Sequence, residues 1–436
     1  MRKILFLGLA ALLTLAVKAQ NNPVFILTTP IDGQTRTVSI GSADISNTFT
    51  VDWGDGNIVD GGSATAVYDG WDGAVSITGT PVGTGIIKIY ATGAVSFLDC
   101  VSKITDTGFT ALDVTNAKDL TELDANGNKL KSIDLSKNGK LTIANLNNNS
   151  LKSIILGSAI TSLNLQSDSL TSFDGSASPN LKTLYLSNNP ISTLDLSSNT
   201  NLKNIYLLNM GLTSLNLGNN TTSGLYLSVN NDSLTTLDVT GATGLGTTGK
   251  LFAMNNKLSE LKYTSISSAN LSGNKFTLAT LPTSNIANLT YAPQQAMALD
   301  NITESVDLSS QSVVGGAATT YAWYTTKGDL LQAGTDYTED KGKFVFIKDQ
   351  ADSVYCTMAN TTLPKFTGTS VFKTVTVKLL ATTGIKNVNT ETSAVKNAVF
   401  TIDGKFVGSD VNVEALEKGV YVVRKGDKVF KVAVKS

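Results

Sequence analysis

Apolar positions return about every 21 residues between Leu120 and Tyr291, with fixed spacings inside each period. One period reads Leu181, Leu184, Leu186, Asn189, Ile191. Before it run Leu120, Leu123, Ala125, Asn128, Leu130; then Leu141, Ala144, Leu146, Asn149, Leu151; then Ile160, Leu163, Leu165, Asp168, Leu170. After it come Leu202, Ile205, Leu207, Met210, Leu212, two blocks with insertions ending at Leu234 and Leu258, and a short block with Ala269, Leu271, Asn274 and Phe276. Each period has two similar halves, as in Leu181 to Leu186 followed by Ile191 to Leu196. That leaves no room for a helix, so two short strands per period are predicted. Repeated units of this size bury their apolar side against their neighbours and stack into a solenoid.

The order L-x-x-L-x-L-x-x-N-x-L resembles that of leucine-rich repeats, over residues 105–292. The expected fold class is mainly β: a leucine-rich repeat solenoid of short coils, flanked by β-sandwich modules. In a strand, side chains alternate faces, so the residue inside each Leu-x-Leu points outward. Coil by coil this position reads Asp124, Asn145, Asn164, Tyr185, Tyr206, Tyr226, Phe252 and Asn270, which predicts an aromatic stripe. Beside it Asn147, Gln166, Ser187, Ser228 and Ser272 are expected to face outward as uncharged hydrogen-bonders. The candidate ligand-binding residues are therefore Tyr185, Tyr206, Tyr226, Phe252, Asn164 and Gln166. Cross-strand aromatics also stabilise a sheet without a ligand, so a purely structural stripe stays open. The second half-repeats carry Asp113, Asp134, Asp174, Asp195 and Asp238, interrupted by Ile155 and Asn216. These are expected to form a solvated face whose carboxylates accept local backbone hydrogen bonds. Asn128, Asn149, Asn189, Asn230, Asn256 and Asn274 are expected to satisfy backbone groups at each corner.

Outside the repeats, strand-like segments return. Residues 20–104 contain Val51-Asp52-Trp53-Gly54-Asp55-Gly56-Asn57, which resembles the D-W-G-D-G turn of PKD-like sandwiches. The resemblance implies a tight turn and a packed Trp, and a calcium role for Asp52 and Asp55 is the alternative to a structural one. In residues 293–381 a Trp323 strand followed by a Tyr355-Cys356 strand resembles an immunoglobulin-like sandwich, without that family's internal disulfide. Residues 382–390 read as a linker. Residues 391–436 carry Asp403-Gly404-Lys405, Leu416-Glu417-Lys418-Gly419-Val420-Tyr421 and a basic last strand. In that order they resemble the C-terminal sorting domain of the Bacteroidetes type IX secretion system, which implies passage across the outer membrane by a secretion machinery.

Residues 1–19 pair Arg2 and Lys3 with an apolar run from Ile4 to Val17 and small residues ending at Ala19, the pattern of a cleavable signal peptide. No later apolar stretch is long enough to span a bilayer, so no transmembrane segment is expected in the mature chain. Loss of Arg2, Lys3 and Lys18 takes the basic count from 34 to 31 against 35 acidic residues, a net charge of -4, which leaves no footprint for nucleic acid. The sequence contains no histidine, which removes His-based acid–base, triad and zinc chemistry. The chain is therefore expected not to be an enzyme and to hold neither cofactor nor metal. Cys100 and Cys356 are expected to be buried free thiols. Three readings follow: a secreted or cell-surface protein binding a protein or glycan through its repeat face, a ligand-free spacer of the cell envelope, and a carboxylate-dependent glycosidase.

Overall fold

The computed structural model describes residues 22–70, 72–102, 108–299, 305–347, 350, 352–379, 397–409, 411–412, 416–425 and 428–434. The signal-peptide and linker readings lie outside these residues. Two compact units are present: one holds the described residues to Asn274 together with Pro282–Thr290, the other Lys275–Leu281 and the described residues from Tyr291 onward.

The first unit is a leucine-rich repeat solenoid with two short strands in most coils and no α-helix among its described residues. One strand column forms a continuous parallel ladder: Glu122–Asp124, Ile143–Asn145, Ser162–Asn164, Thr183–Tyr185, Asn204–Tyr206, Tyr226–Ser228, Lys250–Phe252, Ile266–Asn270 and Ile286–Thr290. The second column pairs only two strands at a time, as in Thr193–Asp195 with Ser214–Asn216. Three-residue strands suffice because every coil buries the same leucines. Leu123, Ala144, Leu163, Leu184, Ile205, Leu227 and Leu251 are all fully buried.

Corners are built from a two-residue device. The first residue is left-handed: Gly127, Asn148, Ser167, Asn188, Asn209, Asn231, Asn255 and Gly273 all have φ between 56° and 73°. Glycine and asparagine suit that region because they tolerate it at least steric cost. The second residue is the ladder residue, whose side chain turns inward. Asn189 shows the pattern: its Nδ2 donates to the Leu165 and Leu186 carbonyls at 2.7 and 2.9 Å, and its Oδ1 accepts the Leu170 amide at 3.0 Å. Asn149, Asn256 and Asn274 repeat these bonds. The expected place of Asn230 in this ladder is corrected: Asp232 occupies the position, taking the Met210, Gly211 and Leu212 amides, while Asn230 bonds Ser228 and the Met254 amide. Met210, whose thioether is only a weak acceptor, falls where Pro190 in the preceding coil has no N–H and the Ile191 amide turns back to the Asn189 carbonyl.

The solenoid sheet does not stop at the first coil. Val95–Asp99 pairs in parallel with Glu122–Asp124, and Arg36–Ser42 and Val75–Gly79 extend the sheet antiparallel beyond it. A second sheet carries Thr48–Asp52, Ile58–Ser63, Ile86–Ala91 and Phe25–Thr28, and its edge pairs with Ala111–Asp113 of the first coil. In the turn after Thr48–Asp52, Asp52 accepts the Gly54 and Gly56 amides and Asp55 the Asn57 amide, which is the work of a structural turn. Trp53 lies across Gly79, where a Cβ would come within 2.2 Å of the indole.

In the second unit, the described residues between 305 and 379 include two antiparallel sheets of three and four strands. Between them Trp323 is fully buried and meets Phe344 and Phe346 edge-on. Cys356 lies opposite Trp323 in the ladder. Cys100 and Cys356 are free and buried, and burial holds both thiols in the neutral form, pushing Cys356 up to about 12. The last four strands, Asn397–Thr401, Phe406–Ser409, Gly419–Lys425 and Lys428–Val434, make one antiparallel sheet. Its first hairpin turns at Asp403 and Gly404. No described helix is long and apolar enough to cross a membrane.

Candidate functional site

The continuous sheet presents three outward rows, of which the central one reads Asp99, Asp124, Asn145, Asn164, Tyr185, Tyr206, Ser228, Phe252, Asn270 and Thr290. Tyr226 stands two residues earlier than expected, in the row of Thr183, Asn204 and Lys250. The stripe nevertheless closes. Tyr185 and Tyr206 stack at 4.5 Å with planes 8° apart, and the Tyr226 ring lies 5.1 Å from Tyr206 and 5.3 Å from Phe252. Ser228, the smallest residue of the central row, leaves the space that the Tyr226 ring fills. Ser187 and Ser228, expected to be exposed on the outward face, are buried there, their hydroxyls accepting from the Leu208 amide and the Asn230 side chain. Leu208 and Met254, unremarked in the sequence, stand half-exposed beside the stripe.

Four consecutive strands carry these rings, a length of about 15 Å at roughly 4.8 Å per strand. Because each ring packs against the next along the ladder, ring faces are turned towards one another and edges and hydroxyls outward. Burial, then the neighbouring Tyr185 and Tyr226, raises the Tyr206 hydroxyl above its ordinary value, so it remains a donor through neutral pH. At the stripe's end one face of Tyr185 looks along the sheet towards Asn164, whose Nδ2 bonds Asn147, with half-exposed Gln166 alongside.

The far end of the same sheet is acidic. Asp99, Glu122 and Asp124 are half-buried there, and Tyr68 stacks on Phe97 at 4.3 Å while its hydroxyl reaches Glu122 at 3.4 Å. Burial raises the carboxyls of Glu122 and Asp124 and pushes the Tyr68 phenol up to about 12. An open cleft of about 520 Å³ also lies at the solenoid corner among Asn188, Pro190, Asn209, Met210 and Asn231.

The other strand column bears its aspartates as a solvated face. Asp113, Asp134, Asp174, Asp195 and Asp238 each accept the amide two residues on. The last four are held below the ordinary carboxylate value by the hydroxyl and amide of that same residue. Among the described residues no group of three or more Cys, Asp and Glu side chains is placed to hold a metal ion. A second buried asparagine column escaped the sequence reading. Asn138 and Asn199 each donate to two carbonyls of the preceding coil, and Asn220 donates to Leu202. Its signal is Leu-x-x-Asn in the second half-repeats, at Leu135, Leu196 and Leu217.

No family model matches the chain, and no curated protein is significantly similar to it. Among solved structures it is similar to the functional domain of InlJ from Listeria monocytogenes, described as including a cysteine ladder. The identity is 16%, over 66% of this chain and 91% of that one, with a TM-score of 0.25. It is also similar to InlP from Listeria monocytogenes, with 14% identity over 62% and 76% of the two chains and a TM-score of 0.28.

Proposed function

We propose that this is an exported, surface-displayed binding protein and that the outward face of the long sheet, centred on Tyr185, Tyr206, Tyr226 and Phe252, recognises a protein ligand. The observation that carries the reading is the stacking of the rings. Sugar rings stack on aromatic faces, and here three ring-to-ring contacts occupy those faces. What remains is a band of aromatic edges and hydroxyls flanked by Leu208 and Met254. That is the composition of protein interfaces, where tyrosine gives contact area at small loss of conformational entropy. A glycan reading draws on one observation, the outer face of Tyr185 above the amides of Asn164 and Gln166.

The expected result on a protein and glycan array is a protein ligand, lost when Tyr185, Tyr206 and Tyr226 are replaced together by Ala. Stability should fall only by about 0.2 to 1 kcal/mol for each lost cross-strand pair. Unchanged binding by the triple variant would exclude the stripe as the site. An array with no ligand at all supports the spacer.

Export follows from the resemblance of residues 391–436 to a type IX sorting domain. Removing residues 386–436 should keep the protein from the cell surface and leave the solenoid folded, since the described strands of that segment pair only with one another. Fractionation with circular dichroism of the truncated chain tests this, and normal surface display would overturn it.

A further inference from the structure

Six of the eight ladder positions, Asn128, Asn149, Asn189, Asn256, Asn274 and Met210, bear uncharged side chains, and two bear carboxylic acids, Asp168 and Asp232. We propose that Asp168 and Asp232 are held as neutral acids in the folded solenoid, each donating its proton where the ladder amide donates elsewhere, so that the solenoid is tightest in acid and loosens as pH rises towards neutrality.

The geometry assigns the two oxygens different roles. Oδ1 of Asp168 accepts the Asn149 and Leu151 amides at 3.1 and 3.2 Å, and Oδ1 of Asp232 accepts three amides at 2.8 to 3.1 Å. These reproduce the acceptor half of a ladder asparagine. Each Oδ2 is buried with no hydrogen-bond partner. It takes the place of an Nδ2, which in Asn149, Asn189 and Asn274 points at two carbonyls, one of its own coil and one of the coil before. By that pattern the carbonyls awaiting Asp168 are those of Leu146 and Leu165. Each of them receives an amide from one side only, Leu146 from Asn149 and Leu165 from Asn189. An ionised Oδ2 would set negative charge against carbonyl oxygens in a dry corner; a protonated one donates to one of them.

Nothing charged offsets this. The ladder residues on either side are Asn149 and Asn189 for Asp168, and Met210 and Asn256 for Asp232. Burial and backbone amides are the only influences on the two carboxyls. Burial dominates in both, raising Asp232 above its ordinary value and carrying Asp168 up to about 7. With the folded value above the unfolded one, the native state binds the proton more tightly. The contribution is complete below the ordinary carboxylate range and is lost as pH rises towards about 7.

The test is an NMR titration of the full mature chain labelled at the aspartate carboxyl carbon, with Asp168→Asn and Asp232→Asn for assignment. The expected result is two resonances that titrate above the ordinary carboxylate value, one absent from each variant, with that of Asp168 titrating near 7. Hydrogen exchange supplies the second readout. After correction for intrinsic rates, protection of the Leu151 amide should fall by about tenfold or more between pH 5.5 and pH 8.5, the equivalent of one pKa unit. In Asp168→Asn it should stay flat. An Asp168 carboxyl fully ionised at pH 6, an Asp232 carboxyl titrating at or below the ordinary carboxylate value, or the same fall in protection in wild type and variant would overturn the proposal.

Discussion

Replacing Asn189 with Ala is expected to destabilise the solenoid by about 3 kcal/mol or more, whereas Asn188→Gly, one residue away, should be close to neutral. Asn189 is about 1% exposed and serves three backbone groups in two coils: the Leu186 carbonyl of its own, and the Leu165 carbonyl and Leu170 amide of the coil before. Alanine leaves them in a corner closed to water. Each buried polar group that loses its partner costs about 1 to 3 kcal/mol. Asn188 is exposed and holds φ at 61°, a conformation glycine adopts without strain. Its side chain makes only surface bonds to Ser167 and Asn209. Urea unfolding followed by exchange of solenoid amides separates the two. Equal losses in both variants would show that corner conformation, not the inward amide, holds the coils together.

That contrast explains what could be read in the sequence. Inward positions repeat because each coil must bury an apolar side chain against its neighbours or satisfy their backbone groups, so pitch, strand count and the first asparagine column are visible in the spacing alone. Register was lost at one coil for an identifiable reason. Leu225, Leu227 and Val229 alternate and are all buried, so both Leu225-Tyr226-Leu227 and Leu227-Ser228-Val229 satisfy Leu-x-Leu. The tie is broken five and seven residues later by Asp232 and Leu234, and by left-handed Asn231 before the acid. The two-residue shift moved Tyr226 between rows and put Asn230 in the ladder, yet the stripe survived because a tyrosine reaches across a row where Ser228 leaves room. The orphaned oxygens of Asp168 and Asp232 were beyond reach, because an acid in an asparagine column is conspicuous only once the carbonyls of neighbouring coils are in place.

The acidic end of the sheet was hidden for a different reason. Val95, Leu98 and Cys100 keep the spacing found inside a coil, but only one of the three is leucine, Leu98 precedes Leu123 by 25 residues, and the strands beyond, Arg36–Ser42 and Val75–Gly79, carry no repeat, so the period itself does not announce that the flanking module and the solenoid share one sheet. This continuity gives the largest expected effect. A chain beginning at residue 108 should fail to form a stable solenoid, because the first coil loses its covering strand at one edge and its partner Phe25–Thr28 at the other. Leu120, Leu123 and Val114, all fully buried, would face water, and the Ser96 and Cys100 backbone groups that bond Thr121, Asp124 and Asn128 would be gone. An open strand edge over an apolar core recruits other chains, so aggregation is the predicted outcome. Leu98→Ala gives the milder form of the same test. Leu98 is fully buried opposite Leu123, and its truncation should cost about 2 to 5 kcal/mol through the cavity it leaves. Coils beyond the third touch the cap only through their neighbours, so lost exchange protection should be greatest at Glu122–Asp124 and fade along the ladder. A soluble, monomeric chain from residue 108 with native protection in its first coils would show instead that the repeats close their own end.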